Sequence, residues 1–246
     1  MSFIEFTRIE KAFDEKVVYT GLDLSIEKGE TITIIGGSGS GKSVLLKLLV
    51  GLMKPDTGSI KIDGTDIVPL SEQGLLSVRK RIGMLFQGGA LFDSVSVGQN
   101  VGYGLEMHAQ MSENEIADKV SHCLEMVGLP GIEQMMPADL SGGMKKRVAL
   151  ARAIAYDPEI ILYDEPTTGL DPTNSNRINH LINEMRELLN VTSVVVTHDM
   201  KSAFAVSDRL AMLFRGRIEA VGTSKEIERS QDPVVRGFIE GNIGEL

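Results

Sequence analysis

Thr31-Ile32-Thr33-Ile34-Ile35-Gly36-Gly37-Ser38-Gly39-Ser40-Gly41-Lys42-Ser43 is the stretch that decides the fold of this chain. Its first five residues form a short β-branched run bounded by glycines, the pattern of a parallel strand buried on both faces. The next eight match G-x-x-x-x-G-K-[ST] in full. Val44, Leu45, Leu46, Leu48 and Leu49 then crowd one helix, apolar nearly all round, which places that helix centrally. Strand, glycine loop and helix in this order make a cradle for a nucleoside triphosphate. Gly36, Gly37, Ser38, Gly39, Ser40 and Gly41 close backbone N–H groups around phosphate oxygens, and the helix start adds partial positive charge. Lys42 is expected to reach the β- and γ-phosphates, and Ser43 to place its hydroxyl on Mg²⁺.

Working outward, the chain has 246 residues, enough for one large α/β domain or a core with a smaller insert. Hydrophobic residues at 42% and charged residues at 24% give the balance of a folded globular protein rather than a disordered one. A formal net charge of −9 argues against nucleic acid as a main partner, because phosphate backbones select basic surfaces. No apolar run approaches the ~18–20 residues that cross a bilayer. Met1-Ser2-Phe3-Ile4-Glu5 lacks the basic and apolar blocks of a secretory signal. The one cysteine, Cys123, excludes an internal disulfide framework, fits a reducing cytosol, and reads as a small packed side chain on a helix.

Ahead of the loop, Phe3 to Ile9 and Val17 to Ile26 have strand character, and Lys28-Gly29-Glu30 turns into the buried strand. Beyond it, Pro55-Asp56-Thr57-Gly58 reads as a turn, and short strands lead to Ile82-Gly83-Met84-Leu85-Phe86-Gln87. Residues 88–155 are expected to be helical. Within them Ser112-x-x-Glu115 is a capping box, Ile116, Val120, Leu124 and Val127 continue one apolar face, and Gly128 and Pro130 end it. From Glu159 the pattern alternates. Ile160–Tyr163 and Ser193–Thr197 are buried-strand runs, with Ile178, Leu181, Ile182, Met185, Leu188 and Leu189 at helical spacing between them. Arg209–Phe214 and Ile218–Val221 read as a hairpin, and a short tail helix starts near Ser224. Asp232-Pro233-Val234-Val235-Arg236-Gly237-Phe238-Ile239 is apolar enough to dock, with a neighbouring subunit as the suggested surface. Alternating strands and helices around a phosphate loop imply a mostly parallel sheet.

Asp164 and Glu165 close the Ile160 run, so their carboxylates are expected at the carboxyl edge of a strand. There Asp164 is suited to hold Mg²⁺ and Glu165 to act as general base on the attacking water. His198 ends the other buried run, in Val195-Val196-Thr197-His198. His108, His122 and His180 have no ligand spacing with one another, and Lys145-Lys146-Arg147 reads as a solvated helix face.

Phosphate loop, Gln87, Leu140-Ser141-Gly142-Gly143, Asp164-Glu165, Gly169-Leu170-Asp171 and His198 follow one another in an order that resembles the nucleotide-binding subunit of ABC transporters. The resemblance covers residues 3–225. It implies an α/β fold: a P-loop NTPase core with a mostly parallel sheet, an N-terminal antiparallel β subdomain and an inserted α-helical subdomain at 88–155. The whole of 1–246 is then one ABC ATPase domain with a tail at 224–246.

The same resemblance implies roles. The ATP-binding set is Phe13, stacked on adenine, then Gly36 through Val44, then Ser141, Gly142 and Gly143, which cap the γ-phosphate of ATP bound to the other subunit. Ser141 is the expected N-cap of a helix running through Arg147, Leu150 and Ile154, so the anion again meets a helix start. Gln87 touches Mg²⁺ or the attacking water, His198 hydrogen-bonds the γ-phosphate, and Asp171 belongs to a loop that communicates across the dimer. Ser43, Gln87 and Asp164 are the expected metal ligands. A homodimer that closes on ATP and opens on hydrolysis follows, with a separate membrane permease docking on Gly88 through Val101.

Gln87-Gly88-Gly89-Ala90-Leu91-Phe92-Asp93-Ser94, Leu140 to Arg147 and Tyr163 to Pro172 further resemble the Mla/Mce-type lipid transporter ATPases. Those systems move phospholipids between bacterial membranes and pair the ATPase with a permease, an Mce-type substrate-binding protein and often a small STAS-domain subunit. The cytoplasmic face of the inner membrane is the implied location. An ATPase for an amino-acid, metal or drug transporter is the alternative. A non-transport ABC protein is a further one, but such proteins usually carry two nucleotide domains or long coiled-coil inserts. Met144 in place of Gln and Val44 in place of Thr depart from the wider ABC pattern. Neither removes a phosphate, metal or water ligand, although Met144 removes one polar side chain near the partner's nucleotide.

Overall fold

The structure is a computed structural model that describes residues 2–241. The last five residues of the expected tail, and Met1, lie outside the described residues. The strands in chain order are β1 Ile4–Phe13, β2 Lys16–Ile26, β3 Thr31–Ile35, β4 Thr57–Ile62, β5 Thr65–Asp66, β6 Ile82–Leu85, β7 Ile160–Asp164, β8 Thr192–Thr197, β9 Arg209–Phe214 and β10 Arg217–Thr223. The helices are α1 Lys42–Leu49, α2 Glu72–Arg79, α3 Val97–His108, α4 Glu113–Met126, α5 Gly142–Ile154, α6 Pro172–Leu189, α7 Met200–Val206, α8 Ser224–Glu228 and α9 Pro233–Ile239. They fall into two compact units, one drawn from Met1–Arg79 and Thr192–Leu246, the other from Lys80–Val191.

In the first unit β1 pairs antiparallel with β2 and with β4, and β4 pairs with β5. A second set of strands holds β3 at its centre, parallel to β8 on one side and to β9 on the other, with β10 returning antiparallel on β9. All five residues of β3 are buried, as expected of a short β-branched strand covered on both faces. The β9–β10 hairpin turns through Arg215 (φ 44) and Gly216 (φ 81). Both central residues are left-handed, which matches the twist of paired strands.

The chain's last elements correct two expectations. In place of one tail helix there are two, because Asp232 caps a new helix through Val234 N and Val235 N with Pro233 in its first turn. The tail also docks on its own unit. Val235 is fully buried with Ile35, Ala203, Leu210, Met212 and Ile227, and Val234, Phe238 and Ile239 pack against them.

In the second unit β6 and β7 run parallel, with Ile82 opposite Ile160 and Leu85 opposite Tyr163. The stretch 88–155 is less helical than expected. Helices α3, α4 and α5 occupy it, but 88–96 and 127–141 are irregular apart from a short 3₁₀ turn at Pro137–Asp139. The first gap begins at Gly88-Gly89-Ala90, where Gly89 (φ 77) and Ala90 (φ 48) are both left-handed. Fully buried Asn100 braces it, its Oδ1 accepting from Phe92 N and its Nδ2 donating to Phe92 O and Ser96 O. The expected capping box at Ser112 and Glu115 is present, and a second one joins Ser96 to Gln99 at the start of α3. Gly128 (φ 67) ends α4. Cys123 is 1% exposed on α4, and burial pushes its thiol up to about 11, so packing rather than reactivity accounts for it.

Helix α5 lies on β6 so closely that Gly83 has no room for a side chain. A Cβ there would stand 2.3 Å from the Ala153 carbonyl oxygen. Gly83→Ala is therefore expected to destabilise the chain by about 1–3 kcal/mol, the usual cost of overpacking. Thermal or denaturant unfolding checks this, and an unchanged midpoint would show that α5 gives way freely.

Lys145-Lys146-Arg147 is not a solvated face. Lys146 is 5% and Arg147 8% exposed. Residues Val148 through Ala151 are buried all round the helix, so α5 is an interior helix and its first basic residues must find partners inside. Arg147 Nη1 donates to the carbonyls of Val127 and Gly128, which ties α5 to the end of α4. Lys146 bonds backbone carbonyls of the loop after β7.

Candidate active site

The first unit carries the phosphate loop. Residues 36–41 link β3 to α1, and Gly41 stands at the N-cap with φ 110. Only glycine fits there: a Cβ would meet Val18 Cγ1 at 2.7 Å in addition to the left-handed backbone. Tyr19, 2% exposed on β2, donates from its hydroxyl to Gly41 O at 2.6 Å and so pins the loop's exit. Burial pushes this phenol far above its ordinary range. Lys42 is 7% exposed, and its ammonium donates to Gly36 O at 2.9 Å and Gly37 O at 3.1 Å.

This loop fits a triphosphate on three counts. The first turn of α1 contains no acidic residue and no side chain caps it, so its amide end keeps its positive character. Ser40 Oγ is buried and has no hydrogen-bond partner among the described residues. Lys42 holds a fixed cation at the loop.

His198 follows β8 directly and is exposed. Because Ile35 is opposite Thr197 in the parallel pair, His198 and Gly36 leave the same sheet edge side by side. The two features stand 162 positions apart in sequence and are brought together by strand register alone. Phe13 ends β1, is 41% exposed rather than packed in the core, and has Lys11 Nζ 5.2 Å from its ring centroid. It pairs with Lys16 across the hairpin turn, and the Lys16 ammonium lies 4.0 Å from where a Gly39 Cβ would be. The aromatic and the phosphate loop therefore belong to one neighbourhood. Sequence reading missed Tyr19 and Lys16 there, since neither belongs to a motif.

The second unit gathers the acids. Asp164 ends β7 and Glu165 follows it, 8% exposed with φ 48. A left-handed conformation is uncommon for a residue with a side chain, and here the surroundings impose it. Lys146 Nζ donates to Glu165 O at 3.1 Å, Pro166 O at 2.7 Å and Thr168 O at 3.0 Å. Thr168 Oγ1 donates to Glu165 Oε2 at 3.1 Å, fixing the carboxylate itself. Gln87 lies two residues past β6 and is exposed; with Leu85 opposite Tyr163, it leaves the same sheet edge as Asp164 and Glu165. Gln87 and Asp164 of this unit each carry an oxygen donor of the kind a hard divalent cation such as Mg²⁺ takes, and Ser43 of the first unit carries another.

Ser141 is the N-cap of α5, accepting from Met144 N at 3.3 Å. Ser141 and Gly142 are exposed, whereas Gly143 is buried. A Cβ at Gly143 would come within 2.8 Å of Asn174 Oδ1. Asn174 also donates to Asp171, through its backbone N–H to Oδ1 at 3.0 Å and through its amide to Oδ2. Those bonds, the backbone one first, hold the Asp171 carboxyl below the usual range. The Ser141–Gly143 segment and Asp171 thus share one residue of α6, a link that no local sequence signal announces.

Comparison with known proteins agrees with this geometry. The family described as ABC transporter matches residues 19–168. The chain is 43% identical over 240 residues to the intermembrane phospholipid transport system ATP-binding protein MlaF of Haemophilus influenzae, covering 98% of this chain and 91% of that one. The MlaF protein of Escherichia coli K12 is 40% identical over 241 residues, with 98% and 88% covered. The probable ribonucleotide transport ATP-binding protein mkl of Mycobacterium leprae is 42% identical over 238 residues, with 97% and 69% covered. Among solved structures, a dimeric post-hydrolysis state of the ATP-binding cassette MJ0796 bound to ADP and Pi superposes with a TM-score of 0.82 at 33% identity, covering 90% of this chain and 98% of that one. The phosphate loop in its strand–loop–helix setting, the paired acids and the family match over most of the chain lead to one conclusion. This chain belongs to the ABC transporter family, as an ATP-binding and ATP-hydrolysing cassette.

Proposed function

We propose that this chain is the motor subunit of a transporter that moves phospholipid between bacterial membranes. It acts as a homodimer on the cytoplasmic face of the inner membrane, beside a separate permease. The observation that carries the reading is similarity along the whole length: 43% identity spanning 98% of this chain and 91% of a phospholipid-system relative. Among the described residues no helix is long and apolar enough to cross a membrane, which favours a permease on another chain. The permease dock is Gly88 through Val101, where exposed Phe92 has its ring centroid 4.9 Å from that of exposed Tyr103, two residues beyond the segment. An Mce-type substrate-binding protein and a small STAS-domain subunit complete the assembly.

In the proposed cycle Phe13 stacks on adenine. Gly36 through Val44 bind the phosphates, with Lys42 at the β- and γ-phosphates. Ser43, Gln87 and Asp164 would hold Mg²⁺, which when bound would supply positive charge to the phosphates. Glu165 takes a proton from water as its oxygen bonds to the γ-phosphorus, and the bond to the bridging oxygen breaks to leave ADP and phosphate. His198 donates to the γ-phosphate. Ser141, Gly142 and Gly143 cap the γ-phosphate on the partner subunit, so ATP favours the closed dimer and hydrolysis releases it.

The name of the mycobacterial relative supports a second reading, ribonucleotide transport, but this chain spans only 69% of that protein. Purification of the native complex, with identification of its subunits and bound small molecules, separates the two. A permease with copurifying phospholipid is expected. A ribonucleotide or amino-acid binding subunit in its place would overturn the lipid assignment.

A further inference from the structure

Lys146 stands out as a buried cation with no place in the hydrolytic cycle described above. A lysine that is 5% exposed is held only where its charge and donors are answered. Its ammonium has three donors, and the structure gives it three acceptors: the carbonyls of Glu165, Pro166 and Thr168. These acceptors share a feature. All three belong to the turn that follows β7, and among the described residues Pro166 O and Thr168 O receive no backbone hydrogen bond, while Glu165 O has one, from Thr168 N at 3.3 Å. Unanswered carbonyls in a buried turn are costly, so the turn depends on this ammonium for its shape. Desolvation lowers the lysine's affinity for its proton, and the Glu165 charge opposes that.

The turn is also where backbone freedom matters most. Glu165 is held at φ 48, and its carboxylate is fixed by Thr168 Oγ1 from the same turn. Lys146 therefore grips the backbone from Glu165 itself to Thr168, the residue whose hydroxyl aims the carboxylate. It does so from α5, one turn after the helix start at Ser141.

We propose that Lys146 is a positioning residue for ATP hydrolysis, bonding the carbonyls of Glu165, Pro166 and Thr168 so that the general-base carboxylate keeps its working geometry and stays tied to the helix that begins at Ser141. The inference rests on Glu165 being the base. It also gives motion of the Ser141 end of α5 a direct mechanical route to the carboxylate.

The test uses the full chain in its native assembly, with Lys146→Met, Lys146→Gln and Glu165→Gln measured side by side for ATP affinity, KM and kcat. Lys146→Met keeps the length of the side chain and removes every donor. It is expected to lower kcat about tenfold to a hundredfold, the scale of a small misplacement of a catalytic group, with KM and ATP affinity within about threefold. Lys146→Gln retains two N–H donors and is expected to recover most of that loss. If Lys146→Met fails to fold, Lys146→Ser replaces it, too short to reach the carbonyls and with the same expected loss. A Met or Ser variant with kcat within about twofold of the parent, or a Gln variant as impaired as Met, would overturn the positioning role. Full turnover by Glu165→Gln would overturn the base assignment itself. An inactive Glu165→Gln beside a fully active Lys146→Met would overturn only the proposal.

Discussion

Glu165→Gln is expected to reduce ATP turnover by a factor on the order of 10²–10⁴ while leaving ATP affinity within a few fold, the span that general-base catalysis covers. The substitution is close to isosteric. Glutamine still offers an oxygen to Thr168 Oγ1, which bonds Glu165 Oε2 at 3.1 Å, and leaves the three backbone bonds from Lys146 untouched. What it cannot do is accept a proton from water. Geometry is nearly retained while one negative charge and the proton acceptor are lost, so the loss falls on the chemical step. With hydrolysis blocked, ATP should hold the subunits together as a dimer that sizing chromatography detects. Near-normal hydrolysis would remove Glu165 from the role of base.

Lys42→Ala should produce the opposite division, with binding lost before chemistry can be measured. The Lys42 ammonium is 7% exposed and bonds Gly36 O and Gly37 O, so it is a desolvated cation already aimed at the loop mouth. Truncating one partner of a buried, charge-assisted contact costs about 2–5 kcal/mol. Affinity should therefore fall by about 30-fold to a few thousandfold. Nucleotide titration reads this directly. A dissociation constant within threefold of the parent would mean that backbone amides and the α1 terminus suffice without the lysine. Together the two variants separate the binding proposed for the first unit from the catalysis proposed for the second.

Several features were legible in the sequence because short-range geometry demands particular residues for them. The run Thr31–Ile35 emerges as a strand of those five residues, and the glycine loop opens a helix at Lys42. Ser141 and Ser112 cap the helices that follow them, since a cap is a bond between neighbours three positions apart. Reading failed where the deciding partner is distant in sequence. Lys146 looked like part of a solvated basic cluster because its partners begin 19 residues away. One signal was available: the helix after it is apolar all round, and a basic residue opening such a helix must be answered inside the protein. The apolar tail looked free for a neighbouring subunit because nothing local shows that Val235 closes a cluster with Ile35 and Leu210.

The sequence by itself determined the triphosphate loop, the acids, the capped segment at Ser141 and the order that identifies the family. Each is a local solution to binding an anion or ending a strand, written in a few adjacent residues. Only the tertiary structure decided the rest. Strand register sets His198 beside Gly36, and Gln87 beside Glu165. A buried ammonium holds the turn in which Glu165 stays at φ 48. Asn174 fills the space that Gly143 leaves open. These arrangements depend on which carbonyls and side chains packing leaves unanswered, and such a deficit exists only once distant segments have met and excluded water.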